Sequence, residues 1–143
     1  MTKRALVTGA SEGIGFEICK LLAKDGYSIV LTARNQAQLE RRIEQLKEHG
    51  IETHMIVQDL SLPDACENIC AQLEAQNLQI DVLINNAGFA NYGDFATNPI
   101  EKEMALLQVN IVALTKLTKL LLPSMLKNKN GKIMNLASMA AFV

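Results

Sequence analysis

Thr8-Gly9-Ala10-Ser11-Glu12-Gly13-Ile14-Gly15 joins a short apolar segment to a helical pattern, and three glycines at that junction leave few folds open. Lys3–Thr8 (KRALVT) reads as a buried strand. Ile14–Lys24 has helical spacing through Ile14, Ile18, Leu21 and Leu22, with Gly26 as its stop. Gly9 permits a tight turn, Gly13 lets the backbone approach a phosphate, and Gly15 lets the helix pack close to a sheet. The helix start offers free N–H groups and the positive end of its dipole. Glycines alone would mark an ordinary turn; the strand before and the helix after point to nucleotide binding.

The same alternation runs along the chain. Ser28–Ala33, Glu52–Val57, Asp81–Asn85 and Lys132–Ala137 read as further strands. Gln36–His49 has Leu39, Ile43 and Leu46 at helical spacing and is closed by Gly50. Ser61-Leu62-Pro63 reads as a cap and first-turn proline opening a helix to about Gln76. A long helix spans about 101–126, with Pro123 expected to bend or end it. Strands alternating with helices require crossover connections. The expected fold is therefore α/β, one domain over residues 1–143, with a doubly wound parallel sheet of the Rossmann type. The fifth strand runs almost to residue 143, so the sheet is expected to be incomplete at the C-terminus.

Charge and composition remove other classes. Fourteen basic residues face 15 acidic ones, and no basic excess suggests nucleic acid. Uninterrupted apolar runs fall short of a membrane span, and no signal-peptide pattern follows the N-terminus, so a cytoplasmic location is expected. Cys19, Cys66 and Cys70 suggest no disulfide framework, and Cys66 and Cys70 read as small core residues rather than half of a metal site. His49 and His54 read as surface residues near a helix-to-strand loop.

The Gly-x-x-x-Gly-x-Gly spacing of Gly9–Gly15 resembles the cofactor loop of short-chain dehydrogenases/reductases. Asn85-Asn86-Ala87-Gly88 resembles that family's motif after the fourth strand, and Asp59-Leu60 its adenine-side pair after the third. Asn110 in the long helix and Gly131–Ser138 (GKIMNLAS) match two further blocks. The closest flavour is the branch of 3-oxoacyl and 17β-hydroxysteroid reductases. Asn85–Gly88 and Gly131–Ser138 also speak against another nucleotide-binding relative such as a methyltransferase.

The resemblance implies a dinucleotide held by Gly9, Ser11, Glu12, Gly13, Ile14, Gly15, Arg34, Asp59, Leu60, Asn86, Ala87 and Gly88. An acidic residue at the end of the second strand would favour NAD; Ala33 stands there, followed by Arg34, whose guanidinium suits a 2′-phosphate. Ser11 is placed to donate to the same phosphate. The expected cofactor is thus NADP (NADPH), although Glu12 stands where many NADP-preferring relatives carry a base.

By the same resemblance, Ser138 hydrogen-bonds the reacting oxygen of a small carbonyl or alcohol substrate, and Asn110 supports a proton relay. The family's general acid/base is a tyrosine with a lysine four residues on. Here the tyrosines are Tyr27 and Tyr92, followed at that spacing by Leu31 and Ala96. The chain is therefore expected to stop before this motif and to be catalytically incompetent by itself, since loss of a general acid costs about 10²–10⁴-fold in rate. The alternative is a non-enzymatic NADP(H)-binding remnant or interaction module. The outer apolar stripe of helix 101–126 is expected to support a homo-oligomer, as relatives pair there. Phe89–Phe95 are candidates for one wall of the substrate site.

Overall fold

The computed structural model describes residues 2–142; Met1 and Val143, the ends of the expected 1–143 domain, lie outside the described residues. Five strands, β1 (Arg4–Thr8), β2 (Ser28–Ala33), β3 (Thr53–Val57), β4 (Val82–Asn85) and β5 (Lys132–Asn135), form one sheet in the order β3-β2-β1-β4-β5. All neighbouring pairs are parallel, with Ala5 opposite Ile29 and Val82, and Asn85 opposite Asn135. Helices α1 (Gly13–Lys24) and α2 (Gln36–Leu46) cover one face. Helices α3 (Ala65–Ala75) and α4 (Ile100–Lys127) cover the other.

Strand alternation explains the two layers of core. Ala5, Val7, Ile29, Leu31, Val82 and Ile84 face α1 and α2; Leu6, Val30, Ile56 and Leu83 face α3 and α4. Because side chains point alternately to opposite faces, the strands read as continuous apolar runs when both faces are covered. Chain order reverses between β1 and β4, and the crevice beyond their C-terminal ends is where open α/β sheets bind ligands.

Helix α1 departs from the expected stripe. Its buried residues are Gly15, Phe16, Cys19 and Ala23, whereas Ile14 and Leu21 are 64% and 65% exposed. Gly15, Cys19 and Ala23 are spaced by four, and small residues on that line bring the helix axis close to the sheet. Ile18 and Leu22 fill the flank as half-buried contacts. Burial pushes the Cys19 thiol up to about 12 and the Cys70 thiol up to about 11, so both stay protonated at neutral pH. Cys66 is buried in the second core and Cys70 packs against it, the positions of small apolar residues.

The start of α3 also differs. Ser61 donates both its N–H and its hydroxyl to Asp59 Oδ1, at 2.9 and 2.8 Å. This local turn uses the serine that the sequence offers as a helix cap. The helix begins later, at Ala65, with Asp64 in the cap position. Helix α2 ends at Leu46, and Lys47–His49 form a tighter 3-10 turn before Gly50 at φ +64°.

Helix α4 runs through Pro123 to Lys127, so the proline does not end it. Gln108–Ala113 form a π turn inside it, with Val109, Ala113, Leu117 and Met125 as its buried residues. Lysines break the apolar runs without ending the helix. It is 28 residues long with a mean hydropathy of 1.5 over its most apolar window, enough by length and composition alone to cross a membrane. Ile100, Met104, Leu107, Ile111, Val112 and Leu120 remain exposed along it, and strand β5 is exposed throughout.

At the opposite end of the sheet from the glycine loop, the Glu52 carboxylate lies 2.8 Å from Arg4 Nη2 and 2.7 Å from His54 Nε2. These contacts, His54's first, hold its carboxyl below the ordinary 4.5. A depressed folded pKa adds stability above the unfolded value, and that contribution disappears as pH falls through the folded one. Glu52→Gln should therefore flatten the acid limb of the stability curve below about pH 4.5 and change little else, because an exposed pair is screened. Superimposable urea-melt series across that window would refute the assignment.

Candidate functional site

The site is built where β1 and β4 end side by side. Thr8 closes β1 and is 2% exposed. Its hydroxyl donates to the Ile84 carbonyl at 3.3 Å and accepts the N–H groups of Asn86 and Ala87 at 3.0 and 2.9 Å. One donor and two lone pairs are thereby all in use. Asn86 returns the link, its Nδ2 donating to the carbonyls of Thr8 and Gly9 at 2.9 and 3.1 Å. Asn85 Nδ2 reaches Asn135 Oδ1 on β5 at 2.8 Å and Thr118 Oγ1 on α4 at 3.0 Å. The two asparagines thus tie three strands and a helix together, with the side chains turned inward.

Gly9 and Gly13 have φ of +63° and +53°, in the left-handed region. A Cβ on Gly15 would lie 2.3 Å from the Gly9 carbonyl oxygen and 2.4 Å from Asn86 Nδ2. A Cβ on Gly13 would meet nothing within 4 Å. Gly15 is therefore filled from behind by the protein, whereas Gly13 faces open space. Glu12 occupies the cap position of α1 in extended backbone, exposed, and its side chain makes no capping hydrogen bond. Among the described residues the start of α1 thus presents N–H groups with no side-chain acceptor toward an open surface, which fits an anion.

The other expected residues fall around this opening. Ser11 is nearly buried, and its carbonyl accepts Arg42 Nε at 2.7 Å. Arg34 follows β2 and is exposed. Asp59 holds Ser61 in its turn, and Leu60 is buried beside it. Gly88 lies against Asn110, where a Cβ would come within 3.2 Å of Oδ1. Asn110 sits in the π turn and pairs with the backbone of Phe89: Oδ1 accepts its N–H at 3.1 Å, and Nδ2 donates to its carbonyl at 2.8 Å. A π turn inside an α-helix re-aims its side chains and recurs at functional sites.

Ser138 lies beyond the end of β5 and is exposed; its Oγ accepts the Ala140 N–H at 3.1 Å, opening the 3-10 turn Met139–Phe142. The structure therefore brings the glycine loop, Asn86–Gly88 and Asn110 into one contiguous set, while Ser138 follows β5, the strand beside β4, and its side-chain hydrogen bond stays within its own turn. Tyr92 is exposed in the loop after β4, away from any lysine at the spacing that general acid/base work would need. Sequence reasoning passed over the Thr8 hydroxyl, Asn85 and Arg42. The first two were legible in principle, as polar residues at the ends of otherwise apolar strands.

The parallel sheet and the glycine loop at its switch point are those of the Rossmann class of α/β folds. The family model described as short chain dehydrogenase matches residues 3–143, and the chain belongs to that family of oxidoreductases. It is 36% identical over 138 residues to the ketoacyl reductase HetN of Nostoc sp., covering 96% of this chain and 48% of that protein. It is also 36% identical to the very-long-chain 3-oxoacyl-CoA reductase of Rattus norvegicus, covering 94% of this chain and 44% of the reductase. A short-chain dehydrogenase from Sphingobium yanoikuyae, solved in complex with NADPH, superimposes with a TM-score of 0.92 at 32% identity, over 99% of this chain and 55% of that one. The chain spans about half the length of these relatives.

Proposed function

We propose that these residues form the cofactor-binding part of an NADP(H)-dependent oxidoreductase acting on a carbonyl or alcohol. The observation that carries this reading is the start of α1, uncapped by any side chain beneath a Gly13 that faces open space. The resemblance to an NADPH complex along nearly the whole chain supports it. Bound NADPH supplies a hydride. The chain's own contribution is to hold the pyrophosphate on the helix N-terminus, to meet the 2′-phosphate with Arg34 and Ser11, and to exclude other orientations of the dinucleotide.

In this reading Ser138 supplies a hydrogen bond to the reacting oxygen. Its hydroxyl accepts from Ala140, which leaves its own proton free to donate. Asn110 braces the Phe89 backbone with one N–H of its amide and keeps the second for a water-linked relay. The 143 residues contain no tyrosine followed four residues on by lysine. As a polypeptide of this length, the chain is proposed to bind NADPH without turnover. Pairing of two copies along the exposed side of α4 belongs to the same proposal.

Titration calorimetry with NADPH and NADH tests the reading. Preference for NADPH is expected, and folded protein that binds neither nucleotide refutes it. Arg34→Glu should weaken NADPH by roughly 10–100-fold, the value of charged hydrogen bonds lost and a like charge gained, while leaving NADH unchanged or tighter. Equal weakening of both nucleotides would remove Arg34 from the 2′-phosphate.

A further inference from the structure

The glycine loop is held at successive points along its length, and the outermost hold comes from a distant helix. Asn86 fixes the carbonyls of Thr8 and Gly9. The next residue, Ala10, donates its N–H to the Thr32 carbonyl at 3.2 Å. Ser11 is then held from α2, where Arg42 Nε donates to its carbonyl at 2.7 Å across 31 residues of sequence. Beyond it the backbone opens into Glu12 and Gly13, which no side chain among the described residues caps.

Arg42 is itself fixed on two sides. Its guanidinium lies over the buried Phe16 ring with Cζ 4.5 Å from the centroid, and its Nη1 donates to Gln45 Oε1 at 2.9 Å. Phe16 belongs to the first turns of α1, so one side chain grips both the loop and the helix whose N-terminus the loop serves. Among the described residues no carboxylate pairs with Arg42, and its best-placed hydrogen bond goes to a main-chain carbonyl. A planar guanidinium can stack on a ring and donate sideways at once; an ammonium cannot hold that geometry.

We propose that Arg42 is a positioning residue of the dinucleotide site: by stacking on Phe16 and bonding the Ser11 carbonyl, it holds Ser11–Gly13 in the conformation that receives the pyrophosphate. This rests on the function proposed above. Its effect falls on the part of the site common to both nucleotides, which separates it from Arg34.

The test uses the protein that carries these residues, with Arg42→Lys and Arg42→Met compared with the parent. Each variant should raise the Kd of NADPH and of NADH by the same factor, about tenfold for one charge-assisted hydrogen bond. Lysine should not rescue, because charge alone neither stacks nor reaches the carbonyl in plane. Amide hydrogen exchange without nucleotide should quicken at Ala10 and Phe16, which flank the released segment, and stay unchanged in the rest of α1 and α2. Phe16→Leu, which removes the ring beneath the guanidinium and also empties part of the core, should weaken both nucleotides by one common factor.

Unchanged affinities in a parent that binds would overturn the proposal. So would a loss confined to NADPH and restored by lysine, which would make Arg42 a phosphate ligand. Faster exchange throughout both helices would reduce its role to general packing and overturn it as well. If the parent binds neither nucleotide, the proposed function fails, while the exchange comparison still decides whether Arg42 holds the loop.

Discussion

Gly15→Ala is expected to destabilise the fold by about 2–3 kcal/mol and to remove measurable NADPH binding, whereas Gly13→Ala should cost only about 1 kcal/mol. The two glycines sit in one loop but differ in what surrounds them. A methyl on Gly15 would stand 2.3 Å from the Gly9 carbonyl oxygen and 2.4 Å from Asn86 Nδ2. Neither atom is the free end of a flexible chain: the first is backbone, and the second donates two hydrogen bonds. Relief requires α1 to back away from β1, dragging Phe16, Cys19 and Ala23 out of the core. On Gly13 the methyl meets open space, and the only penalty is a side chain at φ +53°. Urea melts of both variants, with calorimetry on each, provide the comparison. A Gly13→Ala variant as unstable as Gly15→Ala would show that backbone conformation, not the contact with Asn86, governs the loop.

The sequence made the sheet legible because burial on both faces writes strands as unbroken apolar runs, and helices between them leave little choice of connection. The loop at Gly9–Gly15 was legible because positive φ at Gly9 and Gly13 and the close approach at Gly15 select for glycine. Features that depend on a distant partner were hidden. Helix α2 reads as amphipathic with charged outer faces, and nothing local distinguishes Arg42 from Arg41; only the packing of α2 beside α1 puts Ser11 within reach of one of them. Ser61 looked like a cap because the pattern ignores a competing carboxylate two residues earlier. The π turn at Gln108–Ala113 was hidden in spacing. Four residues overshoot one turn of an α-helix, so a buried line Val109, Ala113, Leu117 drifts round the axis unless the backbone widens locally. In α1 the apolar pattern pointed to Ile14 and Leu21, but a close helix–sheet approach rewards small residues, and the bulky ones were displaced to the outside.

Thr8→Val should destabilise the protein by about 3 kcal/mol, while Thr8→Ser should cost about 1 kcal/mol for its lost methyl. Valine has nearly the shape of threonine, so the difference isolates the hydroxyl. In the native arrangement that oxygen accepts two main-chain N–H groups from the turn after β4 and donates to Ile84. The Asn86 N–H retains a second acceptor, the Ile84 carbonyl at 3.1 Å, but the Ala87 N–H has no alternative among the hydrogen bonds formed by the described residues. A donor left unsatisfied away from water costs about 1–3 kcal/mol; Ala87 is half-buried, and a methyl pressed against its N–H keeps water off and adds repulsion. The consequence extends beyond stability. Asn86 carries the side chain that fixes the Gly9 carbonyl, so a shifted turn after β4 also releases the start of the glycine loop. NADPH affinity should therefore fall in Thr8→Val even at temperatures where the variant is fully folded, and remain near the parent value in Thr8→Ser. Equal stability and equal affinity for the two variants would mean that the hydroxyl only fills space, and the coupling between β1, β4 and the glycine loop would have to rest on Asn86 alone.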